Sequence, residues 1–186
     1  LEEYSNDVED HERNLNSTKI IRNTMLYNKE YNDSLNAHFL YMTDDETLTL
    51  KQSAFESLKS MGLEIISNDS IRQDITTVYM YVKKNTNQES TPNKFATKLF
   101  NFLEPHIAID REVLISDSEL INKKYWGRNV PFKLINYKAL LNNETFLFNI
   151  MQSIDSKVAN ITASKRFKNF MEEVISDIDI ELKRLE

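Results

Sequence analysis

Ser53 to Tyr81, SAFESLKSMGLEIISNDSIRQDITTVYMY, is the stretch whose reading decides the fold. Ala54, Phe55, Leu58 and Met61 recur at helical spacing, and Gly62 follows where the C-terminal cap of a helix needs a residue able to take positive φ. Leu63, Ile65 and Ile66 form a short apolar link expected to enter the core. Asn68 offers an N-cap, Asp69 puts a negative charge on the positive end of the helix dipole, and Ile71, Ile75, Val78 and Tyr79 restart the apolar face. Two helices meeting at a tight corner are therefore predicted, with Phe55, Leu58, Gly62, Asn68, Ile71 and Tyr79 as its structural residues.

A helix, a turn and a second helix also describe a DNA reader. The charge excludes that: the chain carries a net −6 with a pI near 5.2, and the corner has few basic side chains to neutralise phosphates. With 2 glycines and 3 prolines among 186 residues, the chain lacks the turn residues of a many-stranded fold. Cysteine is absent, which excludes disulfides, thiol catalysis and cysteine metal sites. No apolar run approaches the 18 or more residues of a membrane span.

Working outward, Leu1, Tyr4, Val8, His11, Leu15, Thr18, Ile21 and Met25 alternate three and four residues apart, a heptad-like seam opposite a charged face. The seam either closes an intramolecular bundle or pairs two copies as a homodimer. It enters the sequence already in register, which predicts continuation from an upstream helix, a membrane anchor. A second helix is expected from about Tyr31 to Met42, with Leu35, Phe39 and Met42 on one side, His38 beside them, and Asn32 or Asp33 as cap. The second helix of the corner is expected to end near Lys84, before the loop at 85–93. Phe95 to Leu103 predicts a short helix that Pro105 ends or kinks.

The region 107–135 is irregular, with Glu112 to Ser116 either a strand or merely extended. Asn142 or Asn143 is expected to cap a helical stretch from Glu144 to the end. Its stripes, Leu147–Ile161 and Phe167–Leu185, differ in phase near Ala163, so either a stutter or a break is implied there; a long bent helix is favoured. The fold class is all-α: an elongated antiparallel helical bundle with long N- and C-terminal helices, forming one domain over 1–186 that the loop near 85–93 does not split.

No catalytic residue, metal ligand set or cofactor motif is assigned. His11, His38 and His106 are spaced unlike any paired-ligand motif, and no glycine-framed nucleophile or phosphate loop occurs. An enzyme would have to gather His38, His106 and the acidic residues near Asp44 from distant segments. Tyr125, Trp126 and Arg128 place planar aromatics beside a guanidinium, which suits ligand or partner contact or an aromatic plug; His38 joins them as a candidate contact.

Asp33-Ser34-Leu35 with His38-Phe39, then Ala54-Phe55, Leu58-Lys59, Gly62-Leu63, Ile66-Ser67-Asn68, Ile71-Arg72 and Ile75, and later Pro131, Asn136-Tyr137, Leu140 and Asn143 together span most of the chain. In these residues the sequence resembles a family of uncharacterised bacterial proteins, a domain of unknown function, in which a short basic N-terminus and one transmembrane helix precede an all-helical domain. The resemblance implies a domain on the periplasmic side of the inner membrane, held by an upstream single-pass anchor. It implies partner-protein or small-ligand binding, or a sensory input domain signalling through the anchor. Asp33-Ser34-Leu35 and Asp69-Ser70-Ile71 are also similar to O-glycan acceptor sites of exported bacterial proteins, with helix capping as the competing role.

Overall fold

The computed structural model describes residues 2–44, 53–87, 93–110 and 132–186. They are predominantly helical, as the scarcity of turn residues requires. Contacts divide the chain into two compact units: Leu1–His11, Glu46–Pro92 and Ala159–Glu186 form the first, and Glu12–Asp45 with Asn93–Val158 form the second. The first helix, α1 (Glu2–Leu26), contributes residues to both.

In the second unit α1 ends without glycine. Asn28 takes φ +48°, Lys29 N–H donates to the Thr24 carbonyl (3.0 Å) and Asn28 N–H to the Met25 carbonyl (3.1 Å). This is a Schellman cap, with asparagine in the left-handed position that glycine usually takes. Asn32 then nucleates the next turn by accepting from Ser34 N–H (3.1 Å) and from the Ser34 hydroxyl. Helix α2 (Leu35–Met42) therefore starts after Tyr31, and buries Leu35, Phe39 and Met42 as the spacing predicts.

The corner's two helices, α3 (Ser53–Met61) and α4 (Asp69–Asn87), belong to the first unit. Helix α5 (Asn93–Leu103) returns to the second and passes into a 3₁₀ turn, Glu104–His106, with Pro105 in the first turn where its missing N–H costs nothing. Within the region expected to be irregular, β1 (Ile107–Ile109) pairs antiparallel with β2 (Phe132–Leu134) in the register Ile107↔Leu134, Ala108↔Lys133 and Ile109↔Phe132. Glu112 to Ser116 lies outside the described residues. Short α6 (Tyr137–Leu141) follows, and Asn143 accepts from Phe146 N–H (2.9 Å), capping α7 (Glu144–Leu185). The core gathers Ile21, Phe39, Leu99, Leu103, Leu140, Phe146 and Ile150.

Helix α7 is 42 residues long and unbroken at Ala163. The apparent phase change has a simple cause. The buried face runs Ile150, Ser153, Ile154, Lys157, Ile161, Ser164, Phe167 and Met171, while Met151 and Val158 face outward. Polar residues occupy the seam where an apolar template looks for a shift.

The core of the first unit is smaller and aromatic. Tyr4, Val8, Val82, Phe167 and Met171 cluster, with the Tyr81 ring stacked on Phe167 (3.8 Å between centroids) and Tyr4 edge-on to it (5.9 Å). Tyr4 donates to the Ser164 carbonyl at 3.3 Å, and burial pushes its phenol pKa up, with the Ser164 side chain pulling the other way. The seam residues Tyr4, Val8, Ile21 and Met25 are buried within this single chain, each in its own unit, as the intramolecular alternative requires.

The corner forms as predicted in its caps. Gly62 has φ +92° with its N–H on the Lys59 carbonyl (3.2 Å), and Asn68 accepts from Ser70 N–H (3.1 Å) and Ile71 N–H (3.3 Å). Phe55 stacks on Tyr79 at 3.7 Å, and Tyr79 donates to Glu56, which raises the tyrosine's pKa. The link differs from expectation. Leu63–Ile65 is a 3₁₀ turn with no buried residue, and Ile65 is 60 % exposed. Ile65 N–H folds back to the Gly62 carbonyl (3.3 Å), and that tight closure turns its side chain outward. Helix α4 also continues past Lys84 to Asn87.

Candidate functional site

Of the candidate contact residues, His38 alone lies among the described residues. Tyr125, Trp126 and Arg128 lie outside the described residues. His38 sits half-buried on α2 with Nδ1 3.1 Å from the Ser17 hydroxyl of α1. Phe55, Gly62, Asn68 and Tyr79 make the corner, Ile71 is buried beside its cap, and Leu58 is half-buried. Asp33-Ser34-Leu35 and Asp69-Ser70-Ile71 both stand at helix starts, where Asn32 and Asn68 cap the serine N–H groups. Among the described residues no three acidic or histidine side chains converge as a metal site, and no helix is long and apolar enough to cross a membrane.

The described residues instead place an open groove of about 650 Å³ in the second unit, between the α1–α2 connection and the β2–α6 connection. That volume lies within the ordinary range of ligand pockets. Its floor is Tyr31 and Tyr137, with ring centroids 5.4 Å apart and planes tilted by 43°, backed by Phe39 edge-on to Tyr137 at 6.4 Å. The Schellman cap brings Lys29 to the rim, because the left-handed Asn28 reverses the chain there. Strand β2, anchored by buried Leu134, brings Asn136 and Lys138 to the facing rim.

Both phenols are committed. Tyr137 donates to the Lys29 carbonyl (2.8 Å) and Tyr31 to the Asn36 amide oxygen (2.6 Å), so the rings present faces and not hydroxyls. Burial raises the Tyr137 pKa, which keeps that phenol protonated at neutral pH. Lys29, Lys138 and Glu30 supply charge at the rim, with the amides of Asn28 and Asn136 between them. An aromatic floor with a cationic and amide rim can hold a ligand by stacking and charge; it positions no acid–base pair.

A second polar feature of the same unit lies inside it. On α1, Asn14, Ser17 and Thr18 are buried, and on α7, Asn149, Ser153 and Lys157. Antiparallel α2 lines α1: His38 reaches Ser17, and the Arg13 guanidinium lies 4.8 Å over the Tyr41 ring. Lys157 is 5 % exposed and donates to the Asp44 carbonyl at 2.7 Å. The Asn14 side chain is wholly buried, with neither its nitrogen nor its oxygen partnered.

Neither feature was found from the sequence. The groove depends on a contact across 108 residues, from Tyr137 to Lys29, which no local pattern announces. The available signal was Asn28, an asparagine three positions past the end of an apolar stripe. Of the polar seam, the α1 spacing includes Thr18, while Asn14 and Ser17 on α1 and Ser153 and Lys157 on α7 interrupt an apolar template. No family model matches the chain, and neither a curated protein nor a solved structure matches it.

Proposed function

We propose that the chain is a membrane-tethered, extracytoplasmic helical domain that binds a partner protein or a small ligand without catalysing a reaction. The observation that carries binding is the groove: two half-buried aromatic rings whose hydroxyls are already satisfied, under a rim of Lys29, Lys138, Asn28 and Asn136. The placement rests on the family resemblance and on the acidic, cysteine-free composition. A thermal-shift screen against small anions, amino acids and sugars tests binding. A ligand at about 100 times its Kd stabilises by roughly 2.7 kcal/mol, which raises Tm by several degrees. That shift is expected to vanish in a Lys29→Ala/Lys138→Ala variant; no shift with any compound, or one unaffected by the variant, removes the groove reading. Protease accessibility of the full-length protein in intact cells tests placement, and complete protection overturns it.

A sensory input domain is the second reading. It rests on the family resemblance and on α1 and α7, each of which contributes residues to both compact units.

A further inference from the structure

The apolar stripe of α7 outlasts its cover. In the first unit Ser164, Phe167, Met171 and Val174 are buried and Ile178 is half-buried, at alternating spacings of three and four. The next positions in that alternation are Glu181, half-buried, and Leu185, 64 % exposed; Leu182, four residues after Ile178, is 55 % exposed, and Ile175 at the stripe's edge is 43 % exposed. The cover is α4. Tyr81 stacks on Phe167 and the Asn68 amide reaches Glu181, so α4 runs antiparallel to α7 and begins level with Glu181. Beyond that level no described residue is seen packed on the stripe.

The charges around the exposed stripe select its occupant. If Ile175 and Leu182 take heptad position a, then Ile178 and Leu185 take d, Glu181 falls at g, and Asp179 and Glu186 fall at e. Arg184 is turned onto Glu181, holding that carboxyl below its usual pKa with help from Asn68. The charged residues at positions e and g are therefore Asp179, Glu181 and Glu186, with Glu181 already paired with Arg184, while the basic Lys183 and Arg184 stand at b and c. A second copy would set acid against acid in parallel or antiparallel pairing, and an anionic membrane surface would be repelled.

We infer that the face formed by Ile175, Ile178, Leu182 and Leu185 docks an amphipathic helix of another protein that carries Lys or Arg beside its apolar stripe. This deepens the proposed binding function by naming a partner class for a surface of the first unit. It fails separately from the groove of the second unit, whose ligand shift does not depend on it.

The test uses the full chain and two synthetic helices about three heptads long, both with Leu at a and d, one with Lys and the other with Glu at e and g. Fluorescence anisotropy is expected to show the Lys peptide binding at least about tenfold tighter than the Glu peptide, and weakening as salt is raised. A Leu182→Asp/Leu185→Asp variant is expected to lose about tenfold or more in affinity for the Lys peptide while keeping its Tm, since both side chains are exposed. Equal binding of the two peptides, or undiminished binding by the variant, overturns the inference. So does a concentration-dependent dimer in sedimentation that the variant abolishes, which assigns the face to a second copy, or binding to anionic phosphatidylserine vesicles, which assigns it to lipid.

Discussion

The corner at Gly62 and the hairpin of α1 and α2 do the same job by opposite means. The corner is punctuated by a glycine at φ +92° and an asparagine N-cap, and its connecting turn buries nothing. The hairpin has no glycine or proline and turns on Asn28 at φ +48°, yet its helices supply Ile21, Met25, Leu35, Phe39 and Met42 to the larger core. Conspicuous turn residues mark where a chain must bend; they do not mark where its free energy is concentrated. The stretch from Ser53 to Tyr81 is thus the most readable part of the molecule without being its stabilising centre.

The largest effect should come from the hairpin. Phe39→Ala, at a fully buried ring, is expected to cost about 3–5 kcal/mol in urea unfolding, against about 1–2 kcal/mol for Phe55→Ala in the half-exposed stack of the corner. Equal costs would erase the distinction between the regions. Next is Gly62→Val. At φ +92° any Cβ is strained, although the nearest atom, Glu64 Oε2 at 3.1 Å, belongs to a side chain able to move. A loss of about 1–3 kcal/mol is expected, and unchanged thermal stability would show that the glycine's conformation is not required.

The buried seam behind the hairpin gives a prediction of the opposite sign. Asn14 is wholly buried with both polar atoms unpartnered, so Asn14→Leu, close to it in volume, should stabilise by about 1–2 kcal/mol. A destabilised variant would mean that the amide is satisfied in solution.

The smallest expected effect concerns alkaline pH. Burial raises the Tyr4 pKa above its ordinary value near 10, so the folded state holds that proton more tightly than the unfolded chain. Its contribution is fully present below about pH 10 and is lost as pH rises through the folded pKa. Tyr4→Phe should flatten the fall in Tm above pH 10 without abolishing it, because Tyr79 and Tyr137 are shifted in the same direction. An identical pH profile in the variant would contradict the burial assigned to this phenol.

These contrasts also explain what could be read beforehand. Predominant helicity, the α1 seam, the faces of α2, the caps at Gly62, Asn68 and Asn143, and the continuity of α7 all follow from local spacing and cap chemistry. Three features did not. Ile65 points outward because a 3₁₀ closure, not hydrophobicity, sets its direction. The α7 seam passes through Ser153, Lys157 and Ser164, polar residues that an apolar template skips, and Lys157 donates there to the Asp44 carbonyl of a distant segment. The groove was invisible because Tyr31 and Tyr137 meet only after the chain has folded, and the β1–β2 pair that helps bring Tyr137 there has just three residues on each side.

Native-state hydrogen exchange tests most directly whether stability is concentrated in the hairpin's core and not at the corner. Amides around Ile21, Phe39 and Ile150 are expected to exchange only through global unfolding, while those of α3 and the Leu63–Ile65 turn exchange through local opening at markedly lower free energy. Uniform protection across both regions, or slower exchange at the corner than in the hairpin, would contradict it.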